Sequence, residues 1–573
     1  MALNDREFMG YVTYVSAQYV EIHVPTIKKG LADSLDVHEK ERARIGDYLM
    51  IEGNQTSFLG KIMEINTPNY EKIKFSGEDV NKSDIQLSIQ AEILLGFDED
   101  VEKQPTKGLM CYPCVGDEAF YSSRIVVEGF LKNFGLKYNK GYKHLDLGRT
   151  TDQNNMPVRV SMQSMFARHC AIVGTTGGGK SWTISKLIGE MKVEDGARVI
   201  LIDPTGEYKS IEDESFMSVS IGRDSFFHYR YLTTEDLYFL IKPSGGIQMP
   251  KLLEAIRSLK AMELDETGEL TTYIQNGLMR KANRKKDAFE KFYHNHISEI
   301  ENGTLDFDIR HLSAQIIQEC VFETDKNHPD KYGNRNEEAV SQCFNLISRT
   351  SNLLHTDVFK KAFGFNDSIH SSNEMTKVMD QFLSSDKRVL RIGFEGVGFE
   401  FQAREIIANA IGRYLLGKAR DWEFREDPIV LFVDEAHQFL NKNVVDDFFQ
   451  GTSLKAFDLI AKECRKYGLF LCIATQMPRD IPVGTLSQVG TFLVHRLINE
   501  GDKVAIREAC SSASASILDF LPILGEGEAI LSGVDFPMDI TLKVNAPILR
   551  PNSQTPILGG KKNNDPWVNP DSF

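Results

Sequence analysis

The sequence predicts an α/β protein with a parallel sheet, preceded by an all-β domain and interrupted by a helical segment. Residues 1–150 contain stretches that alternate between apolar and polar positions, whereas later apolar runs alternate with longer helical stretches. A glycine-rich loop directly after the first of these runs is typical of a phosphate-binding α/β core. The chain has 573 residues, and roughly 100–200 residues per domain predicts three or four folded units.

The first domain, residues 1–150, is predicted to be a small β-barrel or sandwich. Apolar and polar residues alternate most regularly over residues 85–93 and also around residues 20–24. Shorter runs at 45–51 and 59–65 are separated by turns that contain glycine. Many short strands with one buried face are typical of barrels and sandwiches.

The α/β core is predicted in two parts, residues 151–231 and 387–545. Its apolar runs are near-continuous, as in parallel strands that are covered on both faces. They lie at 170–173, 199–202, 389–392, 429–433 and 469–474. Residues 232–386 are highly charged and mainly helical in pattern, so we expect an inserted helical subdomain. Residues 546–573 are rich in Pro, Asn and Gly and are expected to form an arm or a disordered end.

Composition places the chain among soluble globular proteins. Hydrophobic residues make up 42% and charged residues 26% of the chain. The formal net charge is −15, so nucleic acid is not expected to coat the whole surface, and any contact must use a local basic lining. No apolar run approaches the ~18 residues of a membrane helix, and the N-terminus lacks a secretory pattern. We therefore expect a cytoplasmic protein without a membrane contact.

The strongest motif is a phosphate loop that matches G-x-x-x-x-G-K-[ST] at every required position. It follows the apolar run 170–173 and precedes a predicted helix over residues 182–192. The nucleotide-binding candidates are Gly174, Thr175, Thr176, Gly177, Gly178, Gly179, Lys180, Ser181 and Trp182. Glycines allow successive backbone N–H groups to surround a phosphate, and Lys180 is expected to reach the β- and γ-phosphates of ATP. Ser181 is expected to bind Mg²⁺, so ATP and Mg²⁺ are the predicted cofactors.

A second set of candidate residues follows the run 429–433. Asp434 is expected to hold Mg²⁺, and Glu435 is expected to orient or deprotonate the attacking water. The alternative is that both residues form the acidic start of a helix. Two adjacent carboxylates favour hydrolysis over phosphate transfer, because a kinase must exclude water. Gln476, after the next run, is either a sensor of the γ-phosphate or a polar cap at the end of a strand.

Two further groups have an open assignment. Asp203 and Glu207 lie in a turn after the run 199–202, and they either contribute to the site or only shape the turn. Arg465 precedes Gly468, as basic residues do in the last turn of a helix. The alternative for Arg465 is an arginine finger that stabilises transition-state charge on a neighbouring subunit's ATP.

Three further features give weaker evidence of function. They are a single CxxC motif, a basic run and two basic residues that follow predicted strands. Cys111 and Cys114 lack a second pair of ligands, so zinc is not expected, and the eight cysteines suit a reducing compartment. Residues 280–286 are expected to form one solvated helix face, with contact to DNA or an acidic partner as the alternative. Lys442 and Arg479 are candidates for the lining of a central channel.

With these motifs in order, the chain resembles the HerA family of hexameric ATPases, relatives of FtsK and VirB4. The resemblance covers nearly the whole length. It is carried by 174–181, 203–208, 433–437, 465–468 with Gln476, Arg496 and Leu497 with Asn499, and the tail 550–556. The Gly-Glu-Tyr motif at 206–208 and the Arg-Pro-x-Ser-x-Thr-Pro tail are more diagnostic than the general ATPase motifs.

The resemblance implies a RecA-like core, an N-terminal barrel of the HAS type, an inserted helical subdomain and a C-terminal arm. It also implies a homo-hexamer with ATP between subunits, so that Arg465 becomes the expected finger and Arg496 a further candidate for the site. Double-stranded DNA is expected to pass through a positively lined channel. The barrel is expected to dock a separate effector, a nuclease or a sirtuin-like NAD⁺ hydrolase, as in the antiphage systems of bacterial relatives.

Three functions are compatible with this reasoning. The first is a DNA-translocating ATPase that feeds or activates the effector. The second is a nucleotide-gated scaffold that assembles and activates an effector without pumping DNA. The third is a secretion-type ATPase at a membrane, which the lack of a membrane-binding segment disfavours. The sequence departs from the family's commoner Gln-Arg-Pro by having Gln-Met-Pro-Arg at 476–479, and its insertion is long and acidic.

Overall fold

The computed structural model describes residues 8–17, 19–24, 43–54, 56–66, 87–98, 111–122, 143–151, 155–192, 197–365, 373–440, 454–510, 517–536 and 538–553. These residues form a closed β-barrel, a large mixed sheet with its helices, and a mainly helical segment.

The N-terminal barrel is built from six antiparallel strands. They are β1 (Phe8–Val15), β2 (Val20–Val24), β3 (Tyr48–Glu52), β4 (Thr56–Asn66), β5 (Leu87–Asp98) and β6 (Glu118–Tyr121). The order around the barrel is β1-β2-β5-β4-β3-β6, and β6 pairs with both β1 and β3, so no edge is left unpaired. Apolar side chains such as Val12, Ile22 and Leu49 fill its core. The predicted choice between barrel and sandwich is thereby resolved in favour of a barrel.

The other strands form one large sheet and one short hairpin. They are β7 (His144–Thr150), β8 (Pro157–Ser161), β9 (Cys170–Val173), β10 (Arg198–Asp203), β11 (Phe216–Ser220), β12 (Ile274–Gln275), β13 (Leu278–Met279), β14 (Val389–Gly393), β15 (Ile429–Val433), β16 (Leu469–Thr475), β17 (Thr491–His495), β18 (Glu528–Gly533) and β19 (Ile540–Val544). The sheet has the order β11-β14-β10-β15-β16-β9-β17-β18-β19-β7-β8, and β12 pairs with β13.

The first seven strands in this order, β11 to β17, run parallel, as expected for the α/β core. The last four are antiparallel, and they include β7. The boundary that the sequence suggested at residue 150 therefore differs from the strand pairing, because the barrel strands end at Tyr121. Gly148 explains how β7 joins β19, since a Cβ atom at this position would lie 2.0 Å from the carbonyl oxygen of Lys543.

Helices flank the sheet and dominate residues 232–386. Those of the core are α1 (Met162–Phe166), α2 (Lys180–Met191), α12 (Ala403–Arg420), α13 (Ala456–Glu463), α14 (Val483–Leu486) and α15 (Glu500–Ala509). Those between residues 232 and 386 are α3 (Thr234–Ile241), α4 (Gln248–Leu264), α5 (Asp287–Asn295), α6 (Ile297–Ile300), α7 (Leu312–Glu319), α8 (Glu337–Gln342), α9 (Phe344–His355), α10 (Asp357–Phe363) and α11 (Met375–Ser384).

The parallel strands are buried on both faces. On β10, Ile200 and Ile202 belong to one apolar core, whereas Val199 and Leu201 belong to a second core on the opposite face. Alternate side chains of a strand point to opposite faces, so the near-continuous apolar runs reflect this double burial. Among the helices of the described residues, none is long and apolar enough to cross a membrane.

Candidate active site

The phosphate loop connects β9 to α2 at the carboxyl edge of the parallel strands. Gly177 and Gly179 have φ angles of 73° and 111°, in the left-handed region that favours glycine. Gly174 is required for a different reason, because a Cβ atom there would lie 2.6 Å from the Cβ atom of His495. The backbone of Thr175 is fixed by an N–H bond of 2.9 Å to the carbonyl of Arg496. The motif thus has the backbone shape that its glycines predict.

A buried histidine supports the loop from below. Nδ1 of His495 lies 2.8 Å from the carbonyl oxygen of Glu528, so Nδ1 carries the proton. Nε2 then accepts from the hydroxyl of Thr183 at 2.9 Å. Burial, opposed by the Glu528 bond, lowers the pKa of His495 to about 4 and keeps the ring neutral. No sequence motif identified His495, although it directly follows the apolar run 491–494, which is typical of a strand.

The polar side chains of the loop contact the loop itself and the next strand. Nζ of Lys180 donates to the carbonyl of Thr175 at 3.2 Å, and the lysine is 5% exposed. The hydroxyl of Thr176 donates to Oε1 of Gln476, which follows β16. Gln476 is therefore beside the phosphate loop, where the γ-phosphate sensor was expected.

Asp434 directly follows β15 and is buried, with 2% of its surface exposed. Its Oδ2 accepts from the hydroxyl of Tyr208 at 3.0 Å, and its Oδ1 accepts from the N–H of Glu435 at 2.8 Å. Burial and the carboxylates of Glu435 and Glu207 raise the pKa of Asp434 to about 8. Without a cation in the site, Asp434 is therefore mostly protonated at neutral pH.

Glu435 has the geometry of a strained functional residue. Its φ is 43°, which is uncommon for a side chain of this size. Burial raises the pKa of Glu435, and Lys180 opposes that shift. Oε2 of Glu435 and Oε2 of Glu207 are buried and accept no hydrogen bond from any residue that the structure describes, and Nδ1 of His437 lies 3.4 Å from Oε2 of Glu435. Such unsatisfied oxygen atoms suit a water molecule or a cation that arrives with the nucleotide.

Asp203 is close to the site, but its carboxylate has local partners. Oδ1 accepts from the N–H of Gly206 at 2.8 Å, and Oδ2 accepts from the N–H of Tyr208 at 3.2 Å. Oδ2 also forms an ion pair of 2.8 Å with Nε of Arg391, and both side chains are fully buried. This geometry favours the alternative in which Asp203 shapes the turn. The sequence motifs did not identify Arg391. A charged residue within the apolar run 389–392 was the feature that could have identified it.

Arg465 lies at the opposite edge of the sheet. It is exposed and precedes β16, whereas Gln476 follows that strand. At 3.3 Å per residue, the strand separates the two by about 20 Å. The positive charge of Arg465 acts instead on His169, the residue before β9, whose pKa is lowered to about 4 mainly by burial. Within one chain, Arg465 is therefore not brought to the phosphate loop.

Arg496 follows β17 and does reach the loop. Its carbonyl accepts from Thr175, and its side-chain Nε is buried without a hydrogen bond in the described part of the chain. Arg479, a candidate for the channel lining, contacts Asp502, with Nη1 3.4 Å from Oδ2, and its side chain is 39% exposed. Lys442 and the end of the family tail, residues 554–556, lie outside the described residues.

No cluster of three or more His, Cys, Asp or Glu residues in the described ranges is arranged to hold a metal ion by itself. Cys111 and Cys114 are exposed free thiols. For Mg²⁺, the oxygen donors Ser181 and Asp434 are of the type this ion prefers, and the carboxylates of Glu435 and Glu207 are close enough to Asp434 to act on its pKa. These residues fit a cation that arrives with the phosphates rather than one held by the protein alone.

Comparison with known proteins shows similarity to helicases. Residues 145–398 match the family model described as "Helicase HerA, central domain". A probable helicase of Methanocaldococcus jannaschii is 23% identical over 91% of this chain and 90% of its own length. The DNA double-strand break repair helicase HerA of Pyrococcus furiosus is 23% identical over 74% of this chain and 73% of its own length.

Two solved structures are also similar. VirB4 of Thermoanaerobacter pseudethanolicus has a TM-score of 0.39 at 18% identity, covering 71% of this chain and 97% of that chain. The bacterial conjugative coupling protein TrwB has a TM-score of 0.39 at 13% identity, covering 75% of this chain and 93% of that chain. The matched region of this chain contains the phosphate loop and the turn at 203–208, so both motifs lie in the part that is similar to the central domain of HerA helicases.

Proposed function

We propose that the protein is a ring-shaped motor that hydrolyses ATP to move double-stranded DNA for a separate effector protein. The observation that carries this proposal is the split between the two halves of the hydrolytic machinery. The phosphate loop, Glu435 and Gln476 share one edge of the sheet, whereas Arg465 lies at the other. A second subunit that presents Arg465 to the first would complete the site.

The residues of the site divide the work of ATP hydrolysis. The backbone N–H groups of 174–179 and the Lys180 ammonium bind the phosphates, while Gln476 contacts the γ-phosphate. Glu435 accepts a proton from the water that attacks the γ-phosphorus. The bond from the γ-phosphorus to the β,γ-bridging oxygen breaks, and the products are ADP and inorganic phosphate. Ser181 and Asp434 would hold Mg²⁺, which supplies positive charge that screens the phosphates when it is bound.

DNA as the cargo is inferred from the family. The matched relative of Pyrococcus furiosus is named a DNA double-strand break repair helicase. The present chain is acidic, with a net charge of −15, so we propose that DNA contacts a local basic surface inside a homo-hexamer.

We further propose that the chain comprises a barrel of the HAS type, a RecA-like core, an inserted helical subdomain at 232–386 and a C-terminal arm. The barrel is the proposed docking site for the effector, a nuclease or a sirtuin-like NAD⁺ hydrolase in cytoplasmic antiviral defence. Exposed aromatic rings on β1 support such a surface. Phe8, Tyr11 and Tyr14 are each 40–47% exposed, and the rings of Phe8 and Tyr11 lie 5.0 Å apart.

The test is ATP turnover of the purified protein with and without linear duplex DNA, together with its native mass. We expect a particle of about six subunits whose turnover rises when DNA is added. Ring-sized particles whose turnover ignores DNA would favour the nucleotide-gated scaffold. A monomer with full turnover would contradict the proposal, because Arg465 could not then reach a nucleotide.

A further inference from the structure

The densest basic segment of the chain forms a ribbon rather than the expected helix face. Residues 280–286 contain five cations and no acidic residue. They follow β13 and precede α5 without helical structure, so the expectation of a helix face was wrong. One reason is Asn283, whose φ of 61° breaks a right-handed helix. Another is that backbone groups of this segment pair with residues 330–333.

This pairing places two lysines directly opposite each other. The N–H of Lys286 donates to the carbonyl of Asp330, and the N–H of Tyr332 donates to the carbonyl of Arg284, both at 2.9 Å. Lys285 and Lys331 form the antiparallel bridge between these two bonds. Such a pair is the non-hydrogen-bonded type, in which Cα atoms approach closely and both side chains lie on the same face. We refer to Lys285 and Lys331 as the lysine pair.

Two like charges in this position repel each other. In the described part of the chain, neither lysine forms an ion pair or a side-chain hydrogen bond. Asp325 is near enough for Lys331 to contribute to its lowered pKa, but its carboxylate is hydrogen-bonded to the N–H groups of Asn327 and His328. Opposed like charges destabilise a sheet, so this arrangement gains stability from a bound anion.

Lys281, in the same segment, differs from the lysine pair because its charge has a partner. It is 5% exposed, its Nζ lies 2.8 Å from Oε2 of Glu319, and it lies 4.2 Å from the ring centroid of Phe289. This buried lysine anchors the ribbon to the helices below it. The ribbon thus presents its exposed cations, Arg280, Arg284 and Lys285, from a fixed backbone.

The surroundings suit nucleic acid better than a protein partner. A protein interface needs an apolar centre with aromatic anchors. Beside the ribbon, Phe322 is 53% exposed, and its backbone pairs with Gly333 and Asn334. One exposed ring among cations does not form the apolar centre that a protein interface needs.

We propose that the lysine pair and its neighbouring arginines bind the phosphate backbone of DNA, as a contact outside the ATPase core. This inference rests on the proposed DNA function and adds a site to it. The helical segment would then act on the DNA itself and not only separate the two parts of the core. Contacts to phosphates are independent of sequence, so the site should not distinguish one duplex from another.

The test is the salt dependence of duplex DNA binding by the full-length protein, measured by fluorescence anisotropy between about 50 and 200 mM salt. Each phosphate contact contributes about 0.9 to the slope of log K against log salt. Lys285→Gln/Lys331→Gln should therefore reduce the slope by about 1.8 and weaken binding most at low salt. Lys361→Gln/Lys377→Gln removes the same charge from exposed positions on α10 and α11, and it should leave the slope unchanged.

Thermal unfolding without DNA separates binding from a structural role. Because the two lysines repel each other, the lysine-pair variant should melt at the same temperature as the wild type or higher. A wild type that binds DNA with the same slope as the lysine-pair variant would overturn this site and leave the motor proposal standing. A wild type that does not bind DNA in any salt would overturn both.

Discussion

The hydroxyl of Tyr208 donates to Oδ2 of Asp434 at 3.0 Å, and both residues are almost fully buried. This bond joins the turn after β10 to the carboxyl end of β15, two neighbouring strands of the sheet. A donor to the charged carboxylate opposes the effect of burial, which raises the pKa of Asp434 to about 8. The tyrosine of the Gly-Glu-Tyr motif thus acts on the residue proposed to hold Mg²⁺.

Tyr208→Phe should raise the Mg²⁺ concentration that ATP hydrolysis requires. Without the hydroxyl, Asp434 is harder to ionise, so the Mg²⁺ concentration for half-maximal turnover at pH 7 should rise by about tenfold. Turnover assayed at pH 9 should recover in part, because higher pH removes the proton from Asp434. Tyr229→Phe is the control, since this hydroxyl donates to the carbonyl of Phe307 at 3.0 Å, away from the site. An unchanged Mg²⁺ requirement with a lower melting temperature would reduce Tyr208 to a structural role.

Substitutions of Lys180 and Glu435 should separate binding from hydrolysis. Lys180→Ala removes the cation that we propose to contact the phosphates, so nucleotide affinity should fall by at least tenfold. Glu435→Gln keeps the size of the side chain but removes the proton acceptor, so nucleotide should still bind while turnover falls by about 10²-fold or more. Isothermal titration with ADP and a phosphate-release assay measure the two effects. Substantial turnover in Glu435→Gln would assign the base to another group.

Mixing inactive variants tests whether a site is shared between subunits. In rings assembled at random from equal amounts of Arg465→Ala and Glu435→Gln, about a quarter of the interfaces combine an intact Glu435 with an intact Arg465. Turnover should therefore recover to about that fraction of the wild-type value. Lys180→Ala mixed with Glu435→Gln is the control, because both changes affect the half of the site that one chain supplies. Recovery in the control mixture, or none in the test mixture, would contradict a trans-acting finger.

The sequence was sufficient to predict those parts of the fold and site in which a local pattern determines the structure. The phosphate loop, the strands on either side of it and the carboxylates after β15 follow from glycine positions and apolar runs. Contacts between distant segments were not accessible in this way. Tyr208 reaches Asp434 across 226 positions, and the position of Arg391 opposite Asp203 depends on the pairing of β14 with β10.

The basic segment at 280–286 is a case in which the local sequence pattern predicted the wrong structure. Its charges were correctly identified as a feature, but a helix was expected because charged residues favour helix surfaces. Pairing with residues 330–333 prevailed over this local preference. Propensity is a weak guide where a second segment satisfies the backbone groups.

Buried histidines should make the fold sensitive to acid. The folded-state pKa of His495 is about 4 against an ordinary value of 6.5, so the unfolded chain binds more protons between these values. His495 contributes about 3 kcal/mol to the free energy of unfolding. This contribution is complete above pH 6.5 and is lost as the pH falls towards 4. Urea unfolding at several pH values should show this loss. His495→Gln should flatten the dependence, whereas exposed His144→Gln should not, and equal slopes in all three proteins would contradict the assignment.

The ion pair of Arg391 and Asp203 should behave as one unit. Arg391→Met leaves the carboxylate of Asp203 buried without its cation, and we expect a loss of about 3–5 kcal/mol in the free energy of unfolding. Asp203→Asn/Arg391→Met removes both charges, so it should cost less than the sum of the two single changes. The same urea experiments measure all three variants. Additive losses would mean that the two side chains do not stabilise each other, and the turn that holds Tyr208 against Asp434 would then have to be fixed by its backbone hydrogen bonds and packing alone.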